Sequence, residues 1–457
     1  MRTTRILQCG ALALSLLSCG VMAAVSADEV AKLGTSLTPM GSQKEGNADG
    51  SIPAWTGGIS RTAGKLDAKG FLSDPFADEK PLFTITAQNA DQYKDKLSAG
   101  QLAMFKRYPD SYKIPVYKTH RTFALPDDIY AAIKRSAEFV QPINDGNGLE
   151  NFEKSRYYAF PLPKNGVQAL WNHLTRYHGG NISRTVVQVV PQTNGSYTPI
   201  RFEESIAVPQ SMADQDASKT SNILTYFKQQ VTAPARLAGN VLLVHETLDQ
   251  VKEPRLAWIY NAGQRRVRRA PQVAYDGPGT ASDGMRTSDN YDMFSGAPDR
   301  YDWKLVGKRE MYIPYNSYRL NSPQLKYDDI VKPGHINQDL TRYELHRVWE
   351  VVGTLKSGER NIYGQRHFYL DEDSWQIAVS ELYDGRGQLW RVGEGHSMTF
   401  YSELATGYAA ESLYDILAGR YVTFGLNNEE KRGYQFGQKA SMADFTRLRC
   451  VTPAFVK

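Results

Sequence analysis

Four arginines stand within five positions of the segment GQRRVRRAP, residues 263–271. Arginine at this density binds anions, and on a strongly basic domain it is typical of a nucleic-acid surface. The residues before it, RLAWIYNAGQ, alternate along a strand and end in a Gly-containing turn, which predicts a β-hairpin. On the second strand of that hairpin, Arg266 and Arg268 share one face. The other face carries Arg265, Val267 and Arg269.

The carboxylates of the segment YLDEDSWQ and two histidines could do acid–base or metal chemistry. The acidic residues fall at a predicted hairpin turn, where Asp and Glu are ordinary. His173 and His178 are five positions apart and do not share a helix face, as an i,i+4 metal pair would; we expect surface or capping histidines. The short HGGN motif that begins at His178 indicates a turn.

No known catalytic motif accompanies these residues. The sequence contains no GxSxG, HExxH, GxxxxGK[ST] or GxGxxG segment. Of the three cysteines, Cys450 alone follows the apolar N-terminal stretch, so a cysteine-based metal site is excluded. We therefore expect no catalytic residues, no metal ligands and no cofactor.

The N-terminus predicts secretion. Arg2 and Arg5 precede a short apolar stretch that ends in a small-residue cleavage site. We expect a signal peptide over residues 1–23 and a mature, periplasmic chain that begins at Ala24. The alternative is a lipoprotein anchored at Cys19, since LLSC is a passable lipoprotein signal.

Charge and compartment together argue against nucleic acid as a ligand. Removing the signal peptide lowers the formal net charge from +5 to +3, far from the strongly basic balance of a DNA-binding domain. A secreted protein also rarely meets DNA. We expect a solvated or salt-bridged strand at the arginine run. If the run binds anything, Arg266 and Arg268 would contact anionic headgroups or an acidic partner, with peripheral membrane contact.

The sequence divides into two predicted regions that would position the residues discussed above. Residues 24–165 predict an N-terminal arm and a helical region packed on the body. A long Gly- and Pro-rich stretch there has no periodicity, so we expect an extended arm with Trp55 as its anchor. Helical periodicity follows over 86–106 and 126–138, and again in NGVQALWNHLTRY from residue 165.

Residues 166–457 predict an antiparallel β domain. From about residue 182 the period changes to alternation, with turn residues between nine to eleven short strands. The expected class is α+β, with one large antiparallel meander that is curled or partly closed. Alternating apolar residues would either line a cavity on its concave side or simply fill the core. The candidate lining residues are Leu256, Trp258, Tyr260, Tyr343, Leu345, Trp349, Val351, Trp375, Ile377 and Val379.

Several stretches resemble a family of secreted Gram-negative proteins, domain of unknown function 1329. They include IPAWTGG, YKTHRTFALPD, PLPKNGVQALWNHLTRY, RRVRRAPQVAYD, SDNYDMFSGAPDRYDWKLVGKREMYIPYN and FYLDEDSWQIAVSELYDGRGQLWRV. The last hairpin is in turn similar to the LolA/LolB-like lipoprotein carriers. The resemblance implies a half-open β-barrel with helices covering its concave side. It also implies an exporter of the resistance-nodulation-division class and an outer-membrane protein as partners.

These observations lead to one functional expectation and two alternatives. We expect a non-enzymatic periplasmic carrier or binding protein for a hydrophobic small molecule or lipid. The first alternative is an envelope interaction or sensor protein whose cavity is filled by its own helices. The remote alternative is an unrecognised hydrolase.

Overall fold

The computed structural model describes residues 25–214 and 221–450. The predicted signal peptide, the expected first mature residue Ala24 and the alternative anchor Cys19 lie outside these residues. Within the two described ranges, no helix combines the length and the apolar character needed to cross a bilayer.

Strands dominate the described part of the chain, and most of them follow one another closely. They are β1 (Phe83–Ile85), β2 (Ile114–Val116), β3 (Gln141–Ile143), β4 (Gly148–Glu150), β5 (Ile182–Val189), β6 (Ile200–Ala207), β7 (Ile223–Ala233), β8 (Val241–Thr247), β9 (Leu256–Asn261), β10 (Arg266–Arg269), β11 (Tyr301–Pro314), β12 (Tyr343–Leu355), β13 (Gln365–Asp371), β14 (Ile377–Tyr383), β15 (Leu389–Phe400), β16 (Ala405–Asp415) and β17 (Arg420–Leu426).

Fifteen of these strands form one open sheet. Two antiparallel runs, β5 to β10 and β11 to β17, are joined where β17 pairs with β5. Bulges in β11 and β16 interrupt the register, and such bulges bend a strand. The predicted α+β class and large curved antiparallel sheet are confirmed. The sheet exceeds the nine to eleven strands expected, partly because β1 and β2, from the N-terminal region, join it beside β12.

The helices are short and lie mainly in the N-terminal half. They are α1 (Ala27–Ala31), α2 (Ala99–Arg107), α3 (Asp127–Phe139), α4 (Gly166–Leu174) and α5 (Tyr327–Ile330). The single helix predicted over 86–106 is instead a 3-10 helix, Ala90–Lys96, followed by α2. The break occurs because Ser98 and Gln101 form a capping box, which starts a new helix.

Helices cover both faces of the sheet. Successive residues of a strand point to opposite faces, and β15 shows the two layers directly. Val392 lies beside Gly100 of α2, whereas Gly393 lies beside Met293 on the other face. On that second face, α3 and α4 pack into one apolar cluster with Trp375.

The N-terminal arm, residues 39–60, lies along the body of the protein. Met40 and Ile52 are each 1% exposed and hold it in place. Trp55, the predicted anchor, is half-buried, and its indole N–H donates a hydrogen bond to the carbonyl of Phe123 at 3.3 Å. The arm is thus held by the burial of Met40 and Ile52, in addition to the contact made by Trp55.

Candidate functional site

A mainly apolar cavity of about 170 Å³ lies between the sheet and the long loop that connects β10 to β11. Strands β5 to β8 and β16 form one wall, and the end of α4 with loop residues 273–296 forms the other. The strand wall is apolar because apolar residues on neighbouring strands lie directly opposite one another and point to the same face. Ile206 lies opposite Phe227, and Phe227 lies opposite Val244. We call the side of the sheet that carries this row the cavity face.

A larger groove, of about 1040 Å³, lies between residues 65–84 and 316–342. Exposed charged side chains, including Lys80, Arg319 and Asp339, lie along it. It therefore lacks the continuous apolar wall that a hydrophobic ligand requires. The smaller cavity has such a wall and is the stronger candidate site.

Buried polar side chains form one end of the cavity. Arg184 on β5 donates to the Glu204 carboxylate at 2.7 Å and to the hydroxyls of Tyr434 and Tyr291 at 2.6 Å each. Gln229 donates to the second oxygen of Glu204 at 2.6 Å. The positive charge of Arg184 is therefore paired with the negative charge of Glu204, and both side chains make further hydrogen bonds, as a buried ion pair requires.

A second buried pair joins α4 to the loop, where Arg176 donates to the carboxylate of Asp292. His173 is fully buried, which corrects the expectation of a surface or capping residue. Its Nε2 lies 2.9 Å from the Asp292 carbonyl and its Nδ1 accepts from the Ile377 amide at 3.3 Å. Burial lowers the pKa of His173 to about 3, so the ring is neutral and structural.

Glu411 on β16 also lines the cavity. One of its carboxylate oxygens accepts a hydrogen bond from the Met293 amide at 2.7 Å. Burial and the nearby Asp292 raise the pKa of the Glu411 carboxyl to about 8. The Glu411 carboxyl therefore gives up its proton less readily than an ordinary glutamate does.

The ten residues proposed from the sequence are not among those that line this cavity. Leu256, Trp258 and Tyr260 do alternate onto one face of β9, but it is the face opposite the cavity. The pairing shows this, because Leu242 of the cavity wall lies opposite Ile259 and not opposite Trp258. Trp258 and Tyr260 pack instead against a cluster that includes Phe445.

The other seven lie in or against the core clusters. Trp349 stacks on Trp375, with ring centroids 6.0 Å apart. Tyr343 and Leu345 pack with α2; Trp349, Val351, Trp375 and Ile377 pack with α3 and α4; Val379 packs with Tyr369. Alternation identifies the residues that share a face, but it does not say which segment covers that face. We take the residues around Phe227 as the candidate lining of this cavity.

The arginine run lies on β10, at the edge of the sheet. Arg266 and Arg268 are exposed, and Arg268 pairs with exposed Ile259, which places both arginines on the cavity face. Arg269 lies on the other face, 5.5 Å from the ring centroid of Trp258. Arg265 is in the turn with a φ of 51°, not on the strand as expected. Contact of Arg266 and Arg268 with an anionic surface stays a prediction.

The acidic segment YLDEDSWQ is occupied by structural contacts. Asp373 accepts two hydrogen bonds from Arg121, at 2.8 and 2.6 Å. The same guanidinium donates to the carbonyl of Gln43 in the arm at 2.8 Å. His346, Asp371 and Asp373 each place one potential metal-ligand atom within 4.8 Å of the others. Because Arg121 already engages both oxygens of Asp373, we interpret this cluster as an ionic clamp on the arm.

The sequence did not point to the polar residues of the cavity. Arg184 and Glu204 lie at alternating positions of SRTVVQVV and IRFEESIA, and this placement was the available signal for an inward-facing pair. Arg286 lies in the loop between β10 and β11, where no periodicity applies. Its position depends on the way that loop folds back over the sheet.

The fold and the cavity define a class: an α+β protein with one curved, open and mainly antiparallel sheet that holds a small apolar cavity beside buried ion pairs. The chain belongs to the family described as protein of unknown function DUF1329, which matches residues 84–449. It is 64% identical over 447 residues to the uncharacterized protein PA3922 of Pseudomonas aeruginosa, covering 98% of each chain.

Three solved structures show a weaker likeness. A putative outer membrane lipoprotein-sorting protein domain from Vibrio parahaemolyticus has 11% identity and a TM-score of 0.43, covering 63% of this chain and 98% of its own. A DUF1329 family protein from Desulfovibrio piger has 13% identity and a TM-score of 0.39, covering 60% and 92%. A LolA superfamily protein from Nitrosomonas europaea has 11% identity and a TM-score of 0.36, covering 61% and 94%. The strand pairing described above, not these likenesses, defines the architecture.

Proposed function

We propose that this protein is a non-enzymatic carrier or binding protein for a hydrophobic ligand in the periplasm. The observation that carries the proposal is the cavity on the sheet. One wall is the apolar row of Ile206, Phe227 and Val244, and the other is the end of α4 together with the loop of residues 273–296. Loops are the elements that move most readily, so a ligand has a route in.

The size of the cavity limits the ligand. An apolar cavity of about 150 Å³ accepts a benzene ring, and the cavity here is about 170 Å³. It therefore holds a ring or a short stretch of acyl chain, not several chains. Burying about six methylenes contributes about 5 kcal/mol at about 0.8 kcal/mol each. Because the cost of association reduces this contribution further, binding stays weak enough for exchange, which a carrier needs.

The buried ionisable groups of the site support a binding role without catalysis. The carboxylate of Glu204 pairs with Arg184, that of Asp292 pairs with Arg176, and the ring of His173 is held between backbone groups. Each of these groups has a partner that fixes it in the structure. We accordingly assign no catalytic residue to the cavity.

A second candidate function is an envelope sensor or scaffold whose cavity is filled by its own elements. The observation that favours it is that α3 and α4 pack closely against the sheet in the apolar cluster that contains Trp375. A partnership with a resistance-nodulation-division exporter and an outer-membrane protein is compatible with either candidate function. Cross-linking in intact cells, followed by identification of the captured proteins, tests those partners.

The test of the carrier is to block the cavity. Leu242 lines it, so Leu242→Trp should occupy the space and abolish binding of decanoate measured by calorimetry. Ile259→Trp is the matched control, because Ile259 lies directly opposite Leu242 on the neighbouring strand but is exposed outside the cavity. Equal binding by both variants, or none by the wild type, would contradict the carrier.

A further inference from the structure

Arg286 is a buried arginine on the cavity wall that forms no salt bridge with the described residues. It is 6% exposed. Within the described residues, no carboxylate oxygen lies within 4.0 Å of its guanidinium. The other buried arginines of the cavity differ, since Arg176, Arg184 and Arg255 each pair with an acid.

The guanidinium of Arg286 is nevertheless held in a fixed orientation. Its Nε donates to the amide oxygen of Gln188 at 3.0 Å. The amide nitrogen of Gln188 donates to the carbonyls of Thr280 and Ala281 at 3.1 and 2.8 Å, which fixes the amide. The guanidinium also lies 5.3 Å from the ring centroid of Phe424. These contacts use Nε and one face of the group, and they leave the two terminal nitrogens for another acceptor.

A buried cation without a counter-ion is unfavourable, and proteins seldom keep one without a use. Burial lowers the pKa of the Arg286 guanidinium. Glu411 lines the same cavity and attracts the Arg286 guanidinium, but burial and the neighbouring Asp292 raise the pKa of its carboxyl, and within the described residues it forms no salt bridge with Arg286. An anion supplied by a ligand would remove this penalty.

We infer that the cavity binds a single-chain amphiphile with an anionic head, a carboxylate or a phosphate monoester, which pairs with the terminal nitrogens of Arg286. The tail lies along Ile206, Phe227 and Val244, which line the same cavity. Arginine presents two parallel donors that match carboxylate and phosphate oxygens. This inference rests on the proposed function and names its ligand class.

Binding of matched ten-carbon ligands to the wild type tests the head group. Calorimetry with decanoate, decyl phosphate and decanol should show both anions binding at least about tenfold more tightly than the neutral alcohol, as expected for a charge-assisted hydrogen bond. The difference between decanoate and decyl phosphate identifies the preferred head. Acetate and inorganic phosphate should bind far more weakly than either.

Variants at position 286 then assign the preference to one residue. Arg286→Gln should weaken binding of both anions far more than binding of decanol, and so remove the tenfold preference. Its melting temperature should be equal or higher, because a buried unpaired charge is lost. Arg286→Lys should keep part of the preference. Arg266→Gln, which removes an exposed positive charge on the same face, should keep all of it.

Three results would overturn the inference. Equal binding of decanoate and decanol to the wild type would be consistent with the carrier function but would contradict the preference for an anionic head group. Acetate binding as tightly as decanoate would indicate a site for free anions. If none of the three ten-carbon ligands binds the wild type, the proposed carrier function is contradicted as well. The wild-type comparison remains decisive even if Arg286→Gln fails to fold.

Discussion

Replacing Glu394 by Gln should make the protein less sensitive to rising pH. Glu394 is fully buried on β15, and one carboxylate oxygen accepts hydrogen bonds from the hydroxyls of Tyr112 and Tyr343 at 2.9 Å each. The other oxygen has no partner within the described residues. Burial raises the pKa of this carboxyl to about 7 from its ordinary 4.5.

The direction and size of the effect follow from linkage. The folded state binds the proton more tightly than the unfolded state does, so the stabilisation is fully present below pH 4.5. It is lost as the pH rises through 7. Each unit of pKa difference corresponds to about 1.36 kcal/mol. Between pH 5.5 and 8.5 the wild type should lose about 2 kcal/mol of unfolding free energy through this group, and Glu394→Gln should not.

Urea unfolding of both proteins across this pH range measures the difference. Contributions from other titrating groups, Glu411 and Asp371 among them, are common to both proteins and largely cancel. The free energy of unfolding of the variant, minus that of the wild type, should rise by about 2 kcal/mol from pH 5.5 to 8.5. Glu203→Gln, at an exposed position of β6, serves as the control. A pH-independent difference would refute the reasoning.

Further predictions concern the arm, the edge strand and processing. Arg121→Ala should destabilise the protein by about 3–5 kcal/mol, because it leaves a buried carboxylate unpaired, and limited proteolysis should then cut the arm; an unchanged cleavage pattern would contradict the clamp. Replacing Arg266 and Arg268 by Gln should weaken binding to anionic liposomes and flatten its salt dependence while the melting temperature stays unchanged. A loss of stability with unchanged liposome binding would show that both arginines are structural. The intact mass of periplasmic protein should correspond to a chain that begins at Ala24, whereas a lipid-modified Cys19 would show that the other signal is used.

Local patterns predicted local structure well. The hairpin of β9 and β10 follows from the alternation in RLAWIY and from the turn at NAGQ, and its register places Arg266 opposite Asn261. Helix α3 spans Asp127–Phe139, within one residue of the range that periodicity indicated. Arg265 departs from the prediction because it adopts positive φ in the turn.

Long-range relations could not be read from the same patterns. The pairing of β17 with β5 joins segments more than two hundred residues apart, and it creates the wall on which the cavity lies. The alternation of Leu256, Trp258 and Tyr260 predicts only that they share a face, and in the structure Trp258 and Tyr260 pack in a cluster with Phe445. Arg286 lies in an irregular loop, and only the folded loop brings it to Gln188 and Phe424.

The most direct test of the central claim is native mass spectrometry of the purified protein, compared with Leu242→Trp. We predict that the wild type carries a small ligand that organic solvent releases and that proves to be an anionic single-chain amphiphile. Leu242→Trp should be bare. A wild-type protein without any bound ligand, and with no affinity for added decanoate, would contradict the account.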